Sequence, residues 1–148
     1  MSLALRILAA LFTLLAFNQC RSPTHSGGDR PTRVPAVVSF ERDIKPILEI
    51  HCVQCHNSSN ARANANLDLE TRHLAMSTGR YPPVIKPGDP DNSLFIQALT
   101  LDIDHPTSMP PSPDKIWDVR LEILKKWIAQ GAVWPQHVRL QRPEDWGE

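Results

Sequence analysis

The chain runs to 148 residues, with 16 basic and 16 acidic side chains, 14 prolines and three cysteines. That length suits one domain and leaves no room for a separate substrate domain. A formal net charge of zero excludes the basic footprint of a nucleic-acid binder. Arg6, Arg21, Arg30 and Arg33 against Asp29 leave the first 35 residues at +3, so the remainder carries −3.

Residues 1–20 read as a bacterial export signal. Arg6 supplies a basic n-region, and Ile7–Phe17 forms an apolar stretch of eleven, interrupted by Thr13, that suits an h-region and is too short to span a membrane. The alternative is a short uncleaved anchor. Cys20 follows in Leu15-Ala16-Phe17-Asn18-Gln19-Cys20 and resembles the lipid-modified cysteine of bacterial lipoproteins, although that motif wants a small residue where Gln19 stands. The expectation is lipidation of Cys20 and attachment to a membrane. The alternative is an ordinary signal, with Cys20 discarded or left as a free thiol. Residues 21–37 are rich in Pro, Gly, Ser, Thr and Arg and read as a flexible tether, because they bury little apolar surface.

The first helix begins at Ser39 or Asp43, both suitable N-caps. With Asp43 as cap, Pro46 falls in the first turn, where its missing N–H is harmless. With Ser39 as cap, Pro46 kinks the helix. Ile44, Ile47, Leu48 and Cys52 share one apolar face.

Cys52-Val53-Gln54-Cys55-His56 is a C-x-x-C-H, the attachment signature for c-type haem. On a helical turn, thiols at i and i+3 lie on one face. They can then add to the two vinyl groups along one edge of a porphyrin, with His56 as the proximal iron ligand. One covalent haem c is expected. A thioredoxin-like pair needs a βαβ setting that this chain lacks. A structural zinc needs four N or S ligands; the motif supplies three, and Cys20 lies in the export signal. Structural cysteines, including a Cys52–Cys55 disulfide, are the plain alternative. Haem attachment in bacteria is completed outside the cytoplasm, so motif and export signal agree on a periplasmic or cell-envelope location.

Asn57 to Asn66 reads as a small, polar loop over the haem edge. Leu67–Met76 is a short helix candidate. Gly79–Pro90 is irregular, and Asp91 or Asn92 caps a helix through Leu94, Phe95, Ala98 and Leu99. Asp102–Asp114 is irregular again and holds Met109-Pro110-Pro111. The last helix is predicted over Asp118–Gln130, stopped by Gly131, with Leu121, Leu124, Trp127 and Ile128 on one face and Glu122 paired with Lys126. Trp127 packs against the first helix or the haem, or simply fills the core. With no strand pattern longer than Pro83-Val84-Ile85, the fold class is all-α: a small helical domain around one haem, with long Pro-rich loops.

Met109 is the first choice for a second axial ligand. It lies 53 residues after His56, and Pro110 and Pro111 restrict its loop, so its thioether is held at low entropic cost. His/Met ligation raises the reduction potential. Met76 is the rival, but a methionine on an amphipathic helix is more often core. His73 or His105 would give bis-histidine ligation at lower potential. His25, His51 and His137 read as surface or packing residues.

Over residues 38–135 the chain resembles a planctomycete-type cytochrome c domain, of the class I cytochrome c-like folds. The resemblance rests on Phe40-Glu41-Arg42-Asp43-Ile44-Lys45-Pro46-Ile47-Leu48 leading into Cys52–His56, and on Leu67-Asp68-Leu69-Glu70-Thr71-Arg72. It continues in Lys86-Pro87-Gly88-Asp89-Pro90-Asp91-Asn92-Ser93-Leu94, Met109-Pro110-Pro111 and Trp127-Ile128-Ala129-Gln130-Gly131-Ala132-Val133-Trp134-Pro135. The resemblance implies Cys52 and Cys55 as thioether anchors, His56 as axial ligand and Met109 as distal ligand. The family's glycine-rich stretch before the Pro-Gly-Asp-Pro block is reduced to Ser77-Thr78-Gly79-Arg80, and the tail 136–148 lies outside the match.

The expected function is single-electron transfer with redox protein partners in the cell envelope, rather than catalysis. The alternatives are a haem enzyme or gas sensor with a displaceable sixth ligand, and a binding module in which haem is a structural staple.

Overall fold

The computed structural model describes residues 31–111, 116 and 118–143. The export signal and Cys20 therefore lie outside the described residues. Within them are four α-helices and no β-strand: α1 (Lys45–His51), α2 (Arg72–Ser77), α3 (Leu94–Thr100) and α4 (Val119–Ala129). A π-helical turn at Phe40–Ile44 leads into α1, and a 3-10 turn sits at Ala61–Ala63. No described helix is long and apolar enough to cross a membrane.

The turn that leads into α1 uses the two expected caps together. Ser39 is the N-cap of the π turn, and the Asp43 carboxylate reaches back to accept from its backbone N–H at 2.7 Å. Burial pushes the Asp43 carboxyl up, but the Arg42 guanidinium and the Ser39 N–H outweigh it and hold the group below its ordinary range. Pro46 does not kink a continuous α-helix. The widened π turn comes first, so the α-helical ladder begins only at Lys45, with Pro46 in its first turn. Ile44, Ile47, Leu48 and Cys52 are all buried, as their spacing requires.

The aromatic core is built on Phe40. Its ring stacks on Trp134 with centroids 4.2 Å apart and meets Trp127 at 5.8 Å. Trp127 therefore packs against the segment that opens the first helix. Each indole N–H reaches a carbonyl, Trp127 that of Val133 and Trp134 that of Val138, so no polar atom spoils the cluster. α4 presents Leu121, Leu124, Trp127 and Ile128 to this core. Its limits match expectation, with the Asp118 carboxylate accepting from Arg120 N–H at one end and Gly131 at φ 95° beyond the other. Glu122, however, pairs with Lys125 at 2.9 Å, one residue short of the predicted Lys126.

The shorter helices start later than predicted. Leu67 and Leu69 are buried in extended chain, and α2 begins only at Arg72, where Thr71 accepts from Leu74 N–H. Asp68 causes the delay. Its carboxylate accepts from Glu70 N–H and holds a turn that competes with helix. α3 is preceded by Ser93 rather than Asp91 or Asn92. The Ser93 hydroxyl does not cap; it accepts from Lys86 N–H and donates to Asp89 O, closing the Pro-Gly-Asp-Pro turn on itself. Gly88 N–H donates to Ile128 O at 2.7 Å, which docks that turn on α4. The shortened glycine stretch keeps its one indispensable member. Gly79 has φ 111°, and a Cβ there would lie 2.6 Å from a Val84 methyl.

Residues 136–143 pack on the domain. Val138 and Leu140 are buried, and Leu140 N–H donates to Glu70 O at 2.8 Å. Gln141 N–H donates to Glu49, a buried carboxylate on α1 that Lys45 also holds at 2.7 Å. Arg139 pairs with Glu70. The tail is thus a strap over α1 and the start of α2. Leu140→Ala removes a fully buried side chain from it and should cost about 2–5 kcal/mol in stability, measured by urea denaturation.

Candidate haem-attachment site

The motif begins where α1 ends. Cys52 has φ −125°, outside helical values, and Leu48 O accepts from both Cys52 and Val53 N–H groups. The helical ladder breaks there, and Cys55 and His56 N–H groups both turn back to Cys52 O at 3.1 and 2.9 Å. The motif is therefore a tight turn after the helix rather than its last turn. The two thiols consequently differ: Cys52 is buried, Cys55 is exposed, and no disulfide joins them.

Breaking the ladder leaves the carbonyls of residues 53–56 without helical donors. Each finds one elsewhere. Asn57 Nδ2 donates to Val53 O at 2.7 Å and to Gln54 O at 3.1 Å. Asn64 Nδ2 donates to Cys55 O at 3.0 Å, and Leu69 N–H to His56 O at 2.9 Å. The segment 57–66, expected as a plain loop, is in fact the brace of the motif. Only its Ala61–Ala63 portion is helical. Sequence reasoning missed Asn57 and Asn64. The available signal was the repetition of asparagine at 57, 60, 64 and 66, a residue type whose side chain substitutes for backbone hydrogen bonds.

His56 is 8% exposed, and its Nδ1 has no hydrogen-bond partner. Burial pushes its pKa down, against a smaller opposing effect from the backbone of Leu67 and Asn64, so the ring favours the neutral form a metal requires. Burial, with a smaller contribution from Cys55, pushes the Cys52 thiol up to about 12. Two unbridged thiols, one buried and one open, beside a neutral imidazole with a nitrogen to spare fit a thioether-anchored haem. Among the described residues, no three or more His, Cys, Asp and Glu side chains gather as a metal cage.

Met109 is partly buried against the core, and its N–H donates to Ala98 O at 2.9 Å, which ties its loop to α3. Ser108 secures the same loop through Leu101 O. Met76, on α2, is also partly buried against the core. His105 is exposed, with Nδ1 accepting from Thr107 N–H, and His73 is exposed. His51 stands 3.1 Å from the Arg120 guanidinium and His137 lies at the surface 3.6 Å from Glu41. His25 is outside the described residues.

Residues 52–113 match the model of the family described as planctomycete cytochrome C. The match takes in the C-x-x-C-H turn, the Pro-Gly-Asp-Pro block and Met109-Pro110-Pro111, and it supports the resemblance to a planctomycete-type cytochrome c domain over that stretch. A cytochrome c domain implies haem. The comparisons with curated proteins and with solved structures gave no match.

The unequal burial of the thiols is directly measurable. In chain produced without haem, iodoacetamide at pH 8 should label Cys55 at least about a hundredfold faster than Cys52, because only the thiolate reacts. Peptide mass mapping over time reads the two rates, and equal rates would contradict the arrangement.

Proposed function

We propose that this protein is an exported c-type cytochrome that carries single electrons on one covalently attached haem. The observation that carries the reading is the five-residue turn 52–56. It brings two unbridged thiols and a buried imidazole with an unpartnered nitrogen together inside the family match. Cys52 and Cys55 would anchor the haem, and His56 and Met109 would be its axial ligands. When bound, haem supplies a one-electron iron couple. The polypeptide's part is to hold the ligands so rigidly that little rearrangement accompanies electron transfer, and to exclude water from the buried side of the motif. Met109 is the preferred distal ligand because its loop is anchored on α3 and stiffened by Pro110 and Pro111.

The partners would be redox proteins of the cell envelope. With −3 outside the first 35 residues, a basic partner surface would speed encounter, and salt would weaken that steering. A lipoprotein-type modification of Cys20 would supply more than one acyl chain, as stable anchoring requires, and would hold the domain at a membrane on the tether 21–37.

Denaturing gels of the wild type should retain haem stain, and the Cys52→Ala/Cys55→Ala double variant should lose it. Release of all haem into acidified solvent by the wild type would overturn covalent attachment. The oxidised wild type should show the weak far-red band of sulfur–iron ligation, lost in Met109→Ala and kept in Met76→Ala. Rapid peroxide turnover by the native protein would favour an enzyme over a carrier. Cys20→Ser should move the protein from the membrane fraction to the soluble fraction, and identical fractionation would remove the lipid anchor.

A further inference from the structure

Asn57 is 1% exposed and follows His56 directly in the chain. Its side chain makes every hydrogen bond an amide can make. Nδ2 donates to Val53 O and Gln54 O, while Oδ1 accepts from Ser59 N–H at 3.0 Å and Asn60 N–H at 3.1 Å. This network fixes the amide orientation, because a flipped side chain would set NH2 against two N–H donors. Val53 and Gln54 are the two residues between the cysteines. Asn57 therefore closes the arc that spaces the thiols, and in the same stroke starts the chain that leads away from His56. Asn64 and Leu69 hold the next two carbonyls, but Asn64 is only half-buried, whereas Asn57 works where water cannot take its place.

We propose that Asn57 is the positioning residue of the haem motif: by pinning the Val53 and Gln54 carbonyls it fixes the separation of the anchoring thiols and the direction in which His56 presents its imidazole. The inference rests on the covalent-haem reading and adds a residue outside the C-x-x-C-H itself. Other side chains of similar size cannot substitute. Aspartate keeps the two accepted bonds and loses both donated ones, and leucine loses all four.

The test compares holoprotein of the wild type, Asn57→Asp, the uncharged Asn57→Ser, and Ser93→Ala. Ser93 is also fully buried and hydrogen-bonded, but it lies in the Pro-Gly-Asp turn and so reports destabilisation alone. Electron paramagnetic resonance of the ferric form should show one species for the wild type and Ser93→Ala. Both Asn57 variants should lose that single signal to a mixture of iron environments while retaining covalent haem on denaturing gels. Failure of the Asn57 variants to load haem, with Ser93→Ala loading normally, supports the same conclusion. Wild-type spectra in both Asn57 variants, with stability lowered as in Ser93→Ala, would overturn the proposal and leave covalent haem intact. A wild type without covalent haem would overturn both.

Discussion

The stack of Phe40 on Trp134 joins the two ends of the domain, and most of the architecture hangs on it. The four helices have between six and eleven residues. Helices of that length are marginal in water on their own, so their stability must come from packing on one another. Phe40, just before α1, meets the indoles of both Trp127 and Trp134, which also meet each other at 6.3 Å. The same contact therefore seats α4 and delivers the strap 136–143 to the face of α1. Glu49 marks how completely the strap covers that face. Its carboxylate is buried and is tolerable there because Lys45 and Gln141 N–H both reach it.

The motif depends on a second constraint, the hydrogen-bond accounting of a helix that stops early. A helix continued through residue 56 would have satisfied its carbonyls by ladder. Stopping at His51 places Cys52 inside and Cys55 outside, and leaves carbonyls that would be costly to bury unpaired. Asn57 and Asn64 meet that requirement for Val53, Gln54 and Cys55, and Leu69 N–H meets it for His56, so the turn is held locally while its supporting helix is held from afar.

Much of this was legible in the sequence. The apolar face Ile44–Cys52, the limits of α4 and the irregularity of 79–90 follow from period, capping residues and prolines, which act over one or two turns. The motif residues were legible because their spacing is chemical. The misses are of another kind. The late start of α2 arises from Asp68 bonding to backbone where helix was expected, and α3 follows Ser93, bonded back to the preceding turn, in place of the expected cap at Asp91 or Asn92. The brace from Asn57 and the burial of Val138 and Leu140 depend on where the chain returns in space. Nothing in the composition of 136–148 marks two of its residues as core.

The strap also sets the order in which the fold can close. The hydrogen bonds Val38–Gln130 and Glu49–Gln141 each span 92 residues, and Glu70–Arg139 spans 69. Contacts this distant must overcome loop-closure entropy before they return any enthalpy. A polypeptide made from its N-terminus therefore presents Cys52 and Cys55 long before Gln141 exists to clamp α1. The thiols pass through a period in which the helix carrying them is not yet held, and the arrival of Gln141 ends it.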